Sequence, residues 1–339
     1  MANDKVIGLV DLLDTKNRKY RYDTYQTENV QKRYNFVDSG LKLLSFAQDE
    51  SGTVSDTFIM YAIAMLGITD EKSILLFLRN IKKHHPELSI ADMSSGDALK
   101  SRLRMLQKFG YLFEIQASFI KNQGEKGILN QINFYFITRE ANDLINHKLM
   151  RRIPFNQWLM AVPCSQMVEW AACSYVGAMI SHHTNYVEYL DGHFQSKLLG
   201  KYYFPSEIHF YDGSMDHYVA IIGAYFYKDA GRQTDMDFIR LKIEKINAIK
   251  NYLSVRAPKA EAEVVVVVDT KDDLRSMAEA IEKTGTLLEY LPRIYFTGEG
   301  ILRHTEYFED AFFTIMHNLE NDACEYVKTA PVFFRKSGR

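Results

Sequence analysis

Cysteine is scarce in this chain: Cys164, Cys173 and Cys324 are the three in 339 residues. No paired spacing links them. That excludes a disulfide-stapled secreted fold and fits reduced, packed thiols in a cytoplasmic protein. No run approaches the ~20 apolar residues of a transmembrane helix, so membrane insertion is not expected. The opening "MANDKVIGLVDLLD" is acidic early and lacks the pattern of a signal peptide. The chain also lacks a GxGxxG or GxxxxGK[ST] phosphate loop. "GEGILRH" (298–304) therefore reads as a turn after a strand, and no cofactor is expected. His84-His85 and His182-His183 are adjacent pairs that point to different faces, with no Cys or Asp at ligand spacing, so no metal is expected either.

Charge of neither sign prevails overall, at a net −2, but it is unevenly placed. Residues 1–152 carry 22 basic against 18 acidic residues, and the remainder carries 19 against 25. A cationic first half suits a polyanionic partner.

What is present reads as an ordered series of elements. Residues 1–35, with "KNRKYRY" inside them, read as a basic, aromatic arm or hairpin. Val37, Leu41, Leu44 and Phe46 have helical spacing. "SDTFIMYAIAML" and "TDEKSILLFLRNIKK" read as two helices, started by Ser55 or Asp56 and by Thr69 and Asp70. A third helix, "DALKSRLRMLQK", follows Ser94, Ser95 or Asp97 as possible caps and ends at Gly110. "YLFEIQASF" and "QINFYFIT" read as strands joined by "IKNQGEKGILN", and "TREANDLINHKLM" reads as a helix capped by Thr138.

At 100° per residue, Leu99, Leu103 and Leu106 share one face of the third helix. Lys100, Ser101, Arg104, Gln107 and Lys108 fall on the opposite side. Helix, helix, basic amphipathic helix, hairpin, helix is the order of a winged helix-turn-helix. Such a helix can lie in the major groove of double-stranded DNA, while Lys121 and Lys126 of the hairpin meet phosphates.

The second half changes period. "NQWLMAVPCSQMVEWAACSYVGAMI" reads as a long buried helix within a connector over 151–200, and Asp191-Gly192 as a turn. "KYYFPSEIHFYDG" and "DHYVAIIGAYFYKD" read as paired strands turning at Asp212-Gly213. A helix over 234–253, the strand "AEVVVVVD", the helix "TKDDLRSMAEAIEKTG" and the strand "PRIYFTG" follow. "EYFEDAFFTIMHNLENDACEYVK" reads as a closing helix. The fold class is α+β, with an arm (1–35), a winged-helix domain (36–152) and a mixed α/β domain with its connector (153–339).

The stretches "ALKSRLRMLQKFGYL", "FYFITREANDLI", "YFPSEIHF", "RLKIEKINAIKNYL" and "AEVVVVVDTKDDLRSMAEAI" together resemble the replication-relaxation proteins of plasmids and integrative elements. The resemblance implies a winged helix followed by a domain of restriction-endonuclease-like fold. It also implies a role in plasmid replication, relaxation or conjugative mobilisation, with a relaxase or replication protein as a partner and a homo-oligomeric state. A nuclease of that fold places an acid after a Pro and then Glu-x-Lys on the next strand, to hold a divalent metal and activate water. Here Glu207 follows Pro205, residues 221–226 carry no acid, and Phe226 stands two residues before Lys228. One Glu is too few oxygen ligands for Mg²⁺. The expected function is that of a non-catalytic DNA-binding accessory protein. The alternatives are a metal-dependent nuclease using Glu207, Asp212 or Asp216 and Lys228, and a scaffold that docks proteins through the winged helix.

Overall fold

A computed structural model describes residues 13, 31–33, 55–86, 96–120, 129–150, 153, 155, 164–184, 186–191, 206–211, 215–225, 242–248, 251, 255, 261–283, 293–318 and 323–334. The molecule is a mixed α+β protein with two sheets. Strand β1 (Gln31–Arg33) precedes three helices, α1 (Ser55–Leu66), α2 (Glu71–His84) and α3 (Gly96–Lys108). Strands β2 (Leu112–Ile120) and β3 (Leu129–Ile137) and helix α4 (Arg139–Leu149) follow.

Helix starts are set by side chains that take up orphan amides. Asp70 Oδ1 accepts from the Ser73 amide at 2.9 Å, and Thr138 Oγ1 accepts from the Ala141 amide at 3.3 Å. Helix α3 stops as its glycine demands. Gly110 has φ 80°, its amide reaches the Gln107 carbonyl, and the Tyr111 amide reaches the Leu106 carbonyl at 2.9 Å. That double closure turns the chain directly into β2. Helix α1 is apolar on all sides and is buried throughout 56–66, because α2, α4, β3 and a strand of the large sheet surround it.

β1, β2 and β3 form an antiparallel sheet in that order, with Gln31 opposite Gln116 and Leu112 opposite Ile137. Residues 31–33, in the stretch read as an arm or hairpin, form a strand that pairs with β2. Thr69, between α1 and α2, adds a single antiparallel bridge to Tyr135 of β3. The helix expected around 36–50 lies outside the described residues.

Helix α5 (Cys164–His183) begins at the residue after Pro163. It packs against α2 on one side and strands of the large sheet on the other, so one apolar core runs through both halves. The large sheet has seven strands: β4 (Tyr186–Asp191), β5 (Ser206–Tyr211), β6 (Asp216–Gly223), β7 (Glu261–Val267), β8 (Ile294–Thr297), β9 (Phe313–Asn318) and β10 (Ala323–Lys328). They lie side by side in chain order. β4–β5–β6 is an antiparallel meander, β6–β7–β8 is parallel, and β9 and β10 return antiparallel. Helical residues 242–248 (α6) lie between β6 and β7, and α7 (Lys271–Lys283) lies between β7 and β8. A short helix α8 (Glu299–His304) follows β8.

Two sequence expectations fail here. Asp191 belongs to β4, so the stretch read as connector and turn supplies an edge strand. The closing helix is absent. Residues 308–311 form a 3-10 turn, and β9 and β10 form a hairpin with Ile315 opposite Tyr326. Phe313, Thr314 and Ile315 are buried and Met316 is exposed, and Asn321 and Asp322 in the sequence between the strands favour a turn. The edge of β8, pairing Phe296 with Phe313, selects the strand. Leu13 is also buried. It lies so close to Gly298 that a Cβ there would come within 2.5 Å of Leu13 Cδ2 and 2.6 Å of the Val268 carbonyl oxygen.

Candidate nucleic-acid interface

Helix α3 is held from its apolar side. Leu99, Leu103 and Leu106 have no exposed surface and pack towards α2 and β2. Burying three leucines supplies roughly 5–8 kcal/mol of transfer free energy, which fixes which face turns outward. Lys100, Ser101, Arg104 and Lys108 are exposed, as their spacing predicts, and Met105 stands among them. Gln107, expected on the same face, is half-buried at its margin. Lys100 Nζ lies 3.8 Å from Glu71 Oε2, a loose pair between an exposed lysine and a half-buried glutamate. Arg104 has no ion pair among the described residues. Lys121 and Lys126 lie outside the described residues.

Arg102 was not singled out by sequence, and it does something different from its neighbours. Its guanidinium forks onto the carboxylate of Asp56 in the first turn of α1, with Nε 2.7 Å from Oδ1 and a second contact to Oδ2. Asp56 is buried. The bidentate pair therefore pins α3 to α1, with Arg104 and Lys108 exposed on the other side of the helix. The partners stand 46 residues apart, and no periodicity links them.

The nuclease-type residues do not converge. Glu207 is fully buried in β5, opposite Ala220. Asp216 is the exposed first residue of β6, paired with Tyr211 and 3.4 Å from His209 Nε2. Four positions of β5 separate Glu207 from that pair, about 13 Å at the strand rise, too far for one metal ion. Ala220 and Ile222, which share the face of Glu207, bring no ligand. Glu263 pairs in register with Val219 and so faces the other side of the sheet. Asp212 and Lys228 lie outside the described residues. Among the described residues no three His, Cys, Asp or Glu side chains are grouped to hold a metal ion.

Other ionisable groups escaped the sequence reading. Glu169 of α5 meets Lys242 of α6 at 2.6 Å, with both buried. Lys242 Nζ also donates to the Gly223 carbonyl at 2.9 Å. A side chain at 223 is impossible without rearrangement, since a Cβ would lie 1.9 Å from Glu169 Cγ. Burial and then the neighbouring Lys242 push the Lys245 ammonium down to about 8, and burial pushes the Cys173 thiol up. A second buried pair, His217 Nδ1 and Glu263 Oε2, is 3.8 Å apart, and Glu263 Oε1 accepts from the Val332 amide at 3.0 Å. The signal for these was available only as polar residues interrupting apolar runs.

Comparison with protein-family models, with curated proteins and with solved structures finds no match. Among the described residues no helix is long and apolar enough to cross a membrane.

Proposed function

We propose that this protein binds duplex DNA through α3, with residues 55–149 acting as a winged helix-turn-helix. The observation that carries the reading is the outward face of α3. Lys100, Ser101, Arg104 and Lys108 stand exposed on a helix whose other side is locked by three buried leucines and the Arg102–Asp56 pair. The order α1, α2, α3, β2, β3 supports it, and so does the Thr69–Tyr135 bridge, which stands where a winged helix has its short first strand. In this reading Arg104 reads a base edge, Lys100 and Lys108 meet phosphates, and the β2–β3 hairpin lies along the backbone.

The second half would be a restriction-endonuclease-like scaffold without nuclease chemistry. An antiparallel meander β4–β5–β6 followed by parallel β7, with α5 ahead of it, supports that topology. Ala220 and Ile222 on the face of Glu207 argue against retained catalysis. On this reading the protein is a DNA-binding accessory factor of a mobile element. It would serve plasmid replication, relaxation or conjugative mobilisation beside a relaxase or replication protein.

The test is duplex binding as a function of salt. Each phosphate neutralised contributes about 0.9 to the slope of log K against log salt, so Lys100→Ala, Arg104→Ala and Lys108→Ala together should flatten it by roughly 2, from the two phosphate contacts, and weaken binding further through the lost base contact. An unchanged slope would remove α3 from the interface. DNA cleavage with Mg²⁺ that disappears in Glu207→Ala would decide for a nuclease. Protein partners that persist on the purified chain after nuclease treatment, with no duplex binding, would decide for a docking scaffold.

A further inference from the structure

The geometry points to a second contact surface for the phosphate backbone of nucleic acid, at the joined C-terminal ends of α2 and α5, whose affinity is set by histidine protonation.

Helices α2 and α5 run alongside each other in the same direction. Lys72 near the start of α2 donates to the Tyr175 hydroxyl at 3.0 Å, and Lys83 in its last turn donates to the His182 carbonyl at 3.3 Å. Both helices therefore end together, and the two histidine pairs meet there. Arg79, Lys82 and Lys83 occupy one ~100° arc of α2, opposite the buried Ile74, Phe77, Leu78 and Ile81. All three cations are exposed, and none is in an ion pair among the described residues. Cations at a helix C-terminus have an ordinary role, which is to offset the helix dipole. Lys83 plays that role at the His182 carbonyl. Arg79 and Lys82 make no such contact among the described residues, so capping leaves them unexplained.

The histidines add the proton dependence. His182 and His183 stand edge to face at 5.2 Å, and His183 stacks on Phe308 at 4.6 Å. Lys83 and Arg79 of α2 act on His182, while Lys83, His182 and, from the 3-10 turn, Glu309 act on His183; Lys83, His85 and His182 act on His84. Glu309 is the one acid in that set. Burial first, and then these cations, hold His84, His182 and His183 below their usual 6.5. The imidazoles are neutral near pH 7. A phosphate chain seated on Arg79, Lys82 and Lys83 supplies the negative charge that lets them protonate. Binding then takes up protons, so affinity rises as pH falls.

The choice of nucleic acid as the polyanion rests on the α3 reading. The patch lies at the far end of α2 from Glu71, which Lys100 touches, on the order of 20 Å along the helix. It offers a contact separate from α3.

The experiment measures anisotropy of a labelled mixed-sequence DNA duplex with the full chain, between about pH 6 and about pH 8. We expect roughly 3–10-fold tighter binding at the acid end. Arg79→Gln, Lys82→Gln and Lys83→Gln together should reduce the salt slope by roughly 2–3 and remove the pH dependence. His84→Asn, His182→Gln and His183→Gln together should remove the pH dependence while keeping most of the salt slope. Lys82→Arg with Lys83→Arg should bind like the unmodified chain, separating charge from folding. The Lys100, Arg104 and Lys108 alanine variant distinguishes the two readings. If α3 is not a DNA contact but this surface is, that variant retains full pH-dependent binding. An unchanged slope and pH profile in the Arg79, Lys82 and Lys83 variant would overturn the proposal. So would preferential binding of phosphatidylserine vesicles over duplex at pH 6, which would make the partner a membrane.

Discussion

Residues 55–153 and residues 164–334 both bury polar side chains, but over very different distances along the chain. In the first region Asp70 binds Ser73 three residues on, Thr138 binds Ala141, and the Asn142 and Asn146 amides both donate to the Ile153 carbonyl. These are caps and closures made within eleven residues of chain. In the second, Glu169 reaches Lys242 across 73 residues and Glu263 reaches the Val332 amide across 69. A local closure forms with the helix it ends. A buried ion pair between distant segments forms only when the tertiary structure is complete, and until then each charge is hydrated. Loss of one local closure in the first region should therefore cost little, and loss of one partner of a distant buried pair should cost much.

The largest effect is expected at the Glu169–Lys242 pair. Lys242→Met leaves a buried carboxylate without its cation and should cost about 4 kcal/mol in denaturant unfolding. Glu169→Leu alone should cost a similar amount by stranding the ammonium. The double variant should recover most of the loss, because a well-packed apolar pair replaces both charges. Additive losses would mean that the pair is not the coupled unit described.

Arg102→Ala tests the long-range contact of the first region. It strands Asp56 and should cost about 3 kcal/mol, whereas Arg104→Ala, one turn-face away and exposed, should stay within about 0.5 kcal/mol. Equal effects would erase the distinction between the residue that positions α3 and the one that faces outward. Smaller again is Asp70→Ala, at about 1 kcal/mol, the usual value of an N-cap. A cap loss as large as that at Lys242 would break the contrast between the regions.

The same contrast explains what could be read from sequence. Leu99, Leu103 and Leu106 repeat with the helix period, Gly110 supplies the only residue at ease with φ 80°, and Thr138 precedes a helical pattern, so α3, β2 and α4 were legible. The outward cations of α3 followed from the same period. The β9–β10 hairpin was not legible, because "FFTIMHNLENDACEYV" carries apolar residues at spacings that suit both a helix and two strands. The unpaired edge of β8 decides between them, and that edge exists only in the fold. Glu169 was invisible for a related reason: inside an apolar helix, one acid carries no mark of a lysine 73 positions later. The histidine pairs were visible as residues, and only the parallel course of α2 and α5 shows that they meet.

That meeting gives the smallest predicted effect, on stability against pH. His84, His182 and His183 have folded-state values below the unfolded 6.5, so between the two the unfolded chain binds more protons. Their contribution is undiminished above about pH 6.5 and is lost as the pH falls through the folded values. Partial exposure screens the interaction, so the expected signature is a modest decline in Tm over the window from about pH 6.5 to about pH 5, above the range where carboxylates dominate. Replacing the three by His84→Asn, His182→Gln and His183→Gln should flatten Tm within that window and leave the steeper fall below it unchanged. A curve that keeps its slope would show that the cluster is relaxed in the folded chain. The proton-linked contact surface would then lose its cause, while the α3 face would stand on its own evidence.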